Sequence, residues 1–204
     1  LTSAILIQKG VVIDRLLSSL IVTPNVKLDD LYLGDKNAIM IAARVLAYGP
    51  EYACEIDDPS TGNKTVKTFN LAECPFRKTP DNITENKFEV ELPISKAKIT
   101  FKILTGYEEK KITEEITASK KIGSLVSPEL TTRLRHVITS VDGDENQSTI
   151  NNFVQNLLAR DSLFLRNEIA KSSPDIELEQ EIEVGGDVVK VDIPMTTEFF
   201  WPKS

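Results

Sequence analysis

Two runs of alternating residues, each bent about a cluster of turn formers, lie far apart in the chain. Residues 51–57 and 65–71 flank Pro59-Ser60-Thr61-Gly62-Asn63, and residues 176–184 and 188–193 flank Gly185-Gly186-Asp187. A side-chain period of two, bounded by Gly, Pro and Asn, is the signature of a β-hairpin. Two further strand patterns, 87–92 and 98–104, follow the first hairpin, and helical patterns occupy most of the remainder. Strands and helices are thus grouped, not alternated, which argues against a doubly wound parallel sheet. The fold class expected is α+β: helices packed with two β-hairpins and a short antiparallel sheet.

The clearest helix spans 35–48. Asp35 follows Gly34 as an N-terminal capping or first-turn residue, Ile39, Ala42, Ala43 and Leu46 recur at helical spacing, and Gly49-Pro50 stops the run. Alanines at 38, 42, 43 and 47 point to a close helix contact. Residues 11–21 form a short amphipathic helix ended by Thr23-Pro24-Asn25. Glutamates early and lysines late in 107–122 match the helix dipole. Residues 128–139 read as a helix with Ser127 as cap and Pro128 at its first position. Two more, 148–157 and 161–171, have Ser148 and Asp161 as their caps, and 74–86 reads as a loop.

The length of 204 residues suits one domain or two small ones. The chain divides by pattern into a helical segment 1–50, a β-rich region 51–106 and a helical region 107–204 ending in a hairpin and an aromatic tail, all parts of one integrated fold. The net charge of −7 provides no electrostatic footprint for phosphates, which argues against nonspecific DNA or anionic-lipid binding. The apolar stretch 3–7 is short and lacks the basic lead and cleavage site of a signal peptide. No apolar run approaches the roughly 18 residues of a membrane span. Reduced thiols are therefore expected at Cys54 and Cys74, and the triplets at Asn63, Asn82 and Asn146 read as chance.

Candidate chemistry is sparse. The single histidine, His136, argues against multi-histidine metal sites and a Ser/His/Asp triad. Asp142-Gly143-Asp144 resembles the opening of a calcium loop, but Gln147 and Phe153 stand where its glycine and bidentate glutamate belong. Cys54 and Cys74 offer one sulfur per hairpin arm, half of what a zinc ribbon needs. No phosphate-cradling glycine loop and no nucleophile elbow is present. Neither a catalytic residue nor a cofactor is expected, and an unrelated metal-dependent hydrolase is the remote alternative. The sequence Phe199-Phe200-Trp201-Pro202 is the most pointed feature left: three aromatics either dock into the core or anchor a partner.

The order of motifs narrows the field. Leu33-Gly34-Asp35-Lys36-Asn37-Ala38 leads into a helix with Arg44 that ends Tyr48-Gly49-Pro50-Glu51-Tyr52, and a Cys-bearing hairpin follows. Leu92-Pro93, Phe101-Lys102-Ile103-Leu104-Thr105-Gly106 and Ile138-Thr139-Ser140-Val141-Asp142-Gly143 come next. Phe153-Val154-Gln155-Asn156-Leu157, Arg160-Asp161-Ser162, Leu165-Arg166 and the aromatic tail complete the series. From Leu28 to Pro202 this resembles the baseplate hub assembly proteins of T-even-like contractile-tailed bacteriophages.

The resemblance implies a phage tail protein and not an enzyme: a structural or assembly component of the baseplate hub, or a transient chaperone that leaves before the virion matures. Its partners would be other baseplate or tail-hub subunits, in a symmetric multi-copy assembly, with no nucleic acid and no membrane span. It would reside in the virion tail baseplate, or in the host cytoplasm during assembly. The candidate interface residues are Leu16, Leu17, Leu20 and Ile21 on the first helix and Phe199, Phe200, Trp201 and Pro202 in the tail. Many members carry a C-P-x-C-G knuckle. Here Cys54 lacks its partner and Cys74-Pro75 is followed by Phe76-Arg77, so no metal is expected.

Overall fold

A computed structural model describes residues 14–57, 62, 64–77, 85–121, 129–184, 187–194 and 199–200. The fold is α+β, with six helices and several small antiparallel sheets among the described residues. The residues divide into two compact units whose boundaries differ from the three segments read from the sequence. The first comprises 1–28, 34–77 and 175–204; the second comprises 29–33 and 78–174. The second unit interrupts the first in sequence, a relation that pattern along the chain does not reveal because it depends on which distant strands pair.

The first unit begins with α1 (residues 14–20) and α2 (Leu33–Tyr48), the latter from Gly34 onward. Helix α2 stops where Gly49 takes a left-handed φ of 85° and donates its N–H to the Val45 carbonyl, a geometry that costs glycine nothing. Strands β1 (Glu51–Asp57) and β2 (Lys64–Asn70) form the first hairpin in register Tyr52↔Phe69 and Cys54↔Lys67. Alternation sends Tyr52, Cys54 and Ile56 inward. The turn residues 58–61 and 63 lie outside the described residues. Asn70 then caps a single 3-10 turn, Leu71–Glu73, by accepting from the Ala72 N–H.

Strand β3 (Phe76–Arg77) arises inside the segment expected to be a loop. It pairs with a strand from the far end of the chain, which no local pattern announces. That partner lies beyond the second unit, so its label follows those of the second unit's strands.

The second unit holds an antiparallel sheet of β4 (Phe88–Glu91), β5 (Lys98–Phe101) and β6 (Ile138–Val141), with β5 central. Four helices accompany it: α3 (Gly106–Lys121), α4 (Glu129–Val137), α5 (Gln147–Gln155) and α6 (Ala159–Ser172). The expected helix through residue 139 ends at Val137, and Ile138–Val141 is a strand instead. Its β-branched side chains suit a pleated surface, and pairing with β5 outweighs the apolar continuity with α4. The expected cap at Ser127-Pro128 lies outside the described residues. Phe88 stacks on Phe101 at 5.3 Å in a core that includes Ile99, Ile112, Leu134 and Leu165.

Three aspartates shape this unit's turns. Asp161 was expected as the cap of its own helix, yet it lies inside α6, fully buried, and accepts the Ile94 and Ser95 backbone N–H groups at 2.9 Å each. Asp142 and Gly143 both have positive φ, 52° and 85°, as a tight hairpin turn requires. Helix α5 begins at Gln147 after the N-cap Asn146, two residues earlier than a Ser148 cap would place it. Asp144 secures its first turn by accepting from the Asn146 N–H and the Thr149 hydroxyl.

The chain returns to the first unit through β7 (Asp175–Ile176), which pairs with β3: Phe76↔Ile176 and Arg77↔Asp175. The Glu177 N–H donates to the Pro75 carbonyl at 2.8 Å, and Asn37 donates to Asp175 at 3.0 Å. The strands by which the chain leaves and rejoins the unit are thus hydrogen-bonded to each other. The last hairpin is β8 (Glu179–Val184) with β9 (Asp187–Asp192); its tip, 185–186, lies outside the described residues. Ile41, Tyr52, Phe69, Leu71, Val191 and Phe199 are central to this unit's core.

Candidate protein interaction groove

Within the first unit, α1 and the C-terminal half of α2 wall an apolar groove of about 530 Å³. Leu16 and Leu20, one helical turn apart, form one side; Ala43, Leu46 and Ala47 form the other; Tyr48 and Phe200 complete it. Leu17 faces the opposite way and is buried. Leu46 is 88% exposed, Leu20 45% and Leu16 36%. These are large aliphatics gathered in one concavity, the kind of patch that marks an interaction surface.

The charge distribution of α2 sharpens the point. From Ala38 to Tyr48 its only charged residue is Arg44, and Arg44 is buried. The guanidinium donates to the carbonyls of Gly49 and Glu51 at 3.3 and 3.4 Å, and lies 4.7 Å from the centre of the Tyr48 ring and 5.7 Å from that of Tyr52. The cation therefore serves the helix C-terminus, where the dipole favours it. The solvent-facing side keeps Ala42, Leu46 and Ala47. A helix apolar all round belongs in an interior, and here one side of it is open.

The sequence candidates separate accordingly. Leu16 and Leu20 line the groove, and Ile21 is half-buried beyond it. Phe199 and Phe200, offered as possible anchors, are 1% and 8% exposed. Phe199 meets Tyr52 edge-on at 5.1 Å and Phe200 at 5.1 Å, so the pair belongs to the core of this unit. The physical reason is area: two aromatic rings bury more apolar surface inside than an open tail would leave in water. Trp201 and Pro202 lie outside the described residues. Leu46, Ala43 and Ala47 were missed as site residues. The signal was present in a half-helix with one charge.

The groups weighed for chemistry have other occupations. Asp142 accepts the Lys98 N–H, and both Asp144 oxygens are engaged in the α5 first turn. His136 Nε2 lies 3.0 Å from Glu115, which also receives Arg135. Burial pushes the Cys54 thiol up to about 11, and burial with the Glu73 charge raises Cys74 as well. Both cysteines are free thiols. Among the described residues no three His, Cys, Asp or Glu side chains are placed to hold a metal ion, and no helix is long and apolar enough to cross a membrane. Comparison with protein-family models, with curated proteins and with solved structures finds no match.

Proposed function

We propose that this chain is a structural or assembly protein of a bacteriophage tail baseplate hub, acting by protein–protein contact. Two lines support the reading. The order of motifs from Leu28 to Pro202 resembles that hub family. The groove between α1 and α2 offers aliphatic surface and no charged group, which suits association and not acid–base chemistry. The single observation that carries it is Leu46 held 88% exposed on a helix whose one nearby cation is turned inward. The excess of acidic residues would steer the chain toward basic patches on neighbouring subunits.

The test is quantitative mass spectrometry of gradient-banded virions of the phage that encodes the chain, together with the lysate. A copy number that is a multiple of the tail's rotational symmetry supports a structural subunit. Abundance in the lysate with absence from virions supports a chaperone that departs. Normal tail assembly by a phage carrying a null allele contradicts both.

A further inference from the structure

Resting on the reading of the groove as a protein contact, we infer that its occupant is a single amphipathic helix from a partner subunit, presenting aliphatic anchors one turn apart. Three observations lead there. First, the walls are two helices, and the exposed residues Leu16, Leu20 and Leu46 with the small Ala43 and Ala47 make a ridge-and-hollow surface of the kind that takes a third helix. Second, the walls carry no charge, so the inserted face must be apolar; a charged strand or a nucleic-acid backbone would be desolvated without a counterpart.

The third observation is size. The exposed parts of Leu16, Leu20, Leu46 and Tyr48 amount to roughly 400 Å², about half the area per partner of a standard stable interface. That is too little to hold two copies of the chain together by this face alone. It matches the imprint of two turns of one helix, whose anchors at i and i+4 would sit over Ala43 and Ala47. The helix would join the apolar side of α2 to a core it currently lacks.

The probe is a synthetic peptide of about 16 residues with leucines at i, i+4, i+7 and i+11 and mixed Lys and Glu elsewhere. It is titrated into the intact protein carrying labelled leucine methyl groups and followed by NMR. The expected result is saturable shifts at Leu16, Leu20 and Leu46, with Kd of about 0.1 mM or tighter. A scrambled peptide of the same composition should not bind. Leu46→Glu, at a largely exposed position, should weaken binding at least about tenfold while leaving the other methyl signals in place.

Equal binding of the scrambled peptide, or no shift at about 1 mM peptide, overturns the inference. So do contacts from residues 1–13 or 201–204 to these methyls in the free protein, which would make the chain its own occupant. A dimer abolished by Leu46→Glu would make the occupant a second copy. If the peptide fails while the chain is found in virions, this inference falls and the hub reading stands.

Discussion

The Tyr48 hydroxyl donates to the Phe200 carbonyl at 3.0 Å, tying the last residue of α2 to the aromatic pair at the other end of the chain. Both residues line the groove, so the same bond that anchors the tail also shapes the candidate site. Tyr48→Phe removes the donor and keeps the ring beneath Arg44. It should cost about 1 kcal/mol in urea unfolding. A variant as stable as the parent would show that the tail is held by ring packing alone.

Phe199 and Leu46 should behave as opposites. Phe199→Ala empties a fully buried site between Tyr52 and Phe200 and should lower stability by about 3–5 kcal/mol. Leu46→Ala touches an exposed side chain and should change stability by no more than about 0.5 kcal/mol. In a test of partner association the order should reverse, with Leu46→Ala the weaker binder among folded variants. Chemical denaturation of both variants checks the first half directly.

Much of this architecture is legible from pattern alone. The hairpin β1–β2, helix α2 and the strands β4 and β5 follow from alternation, helical spacing and the Gly49-Pro50 stop. What is not legible depends on distant partners. Strand β6 continues an apolar helix without punctuation and is decided by β5, and the two residues of β3 are decided by β7. Asp161 has the chemistry of a cap but satisfies a turn in another element. The groove was half visible: Leu16 and Leu20 stand out on an amphipathic helix, whereas Leu46 looks like core until Arg44 is seen to take the inner side.

Acid should loosen the second unit through Asp161 and Glu108. Burial alone would raise the Asp161 carboxyl, but the Ile94 and Ser95 N–H groups, the Ser95 hydroxyl and the Arg160 charge outweigh it and hold it below the ordinary range. For Glu108, burial is likewise outweighed by Lys102 and by the Thr105 N–H and hydroxyl. A depressed folded-state pKa stabilises fully above the unfolded value of about 4 and is lost as pH falls below it toward the folded value. Thermal melts should therefore fall between about pH 5 and pH 2, and Asp161→Asn should flatten that slope. At pH 7 the same variant, which cannot accept both N–H bonds equally, should melt about 5 °C lower.

The two thiols should react in a fixed order. Cys54 is buried and its thiol is raised to about 11, so little thiolate exists at pH 8; Cys74 is half-buried, so reagent reaches it more readily, although burial and the Glu73 charge raise its thiol too. Iodoacetamide at pH 8 should label Cys74 slowly and Cys54 only after denaturant is added. Peptide mapping by mass spectrometry reads both sites, and rapid labelling of Cys54 in the folded protein would contradict its place in the core.

The most direct measurement of the central claim is photo-crosslinking from position 46 during infection. A benzophenone amino acid in place of Leu46, with one in place of the exposed Ser18 as the control, reports what lies over the groove as tails assemble. If the hub reading holds, position 46 yields a discrete product whose peptides come from a baseplate or tail-hub subunit, and position 18 yields much less of it. No product from position 46, or the same products from both positions, would contradict it.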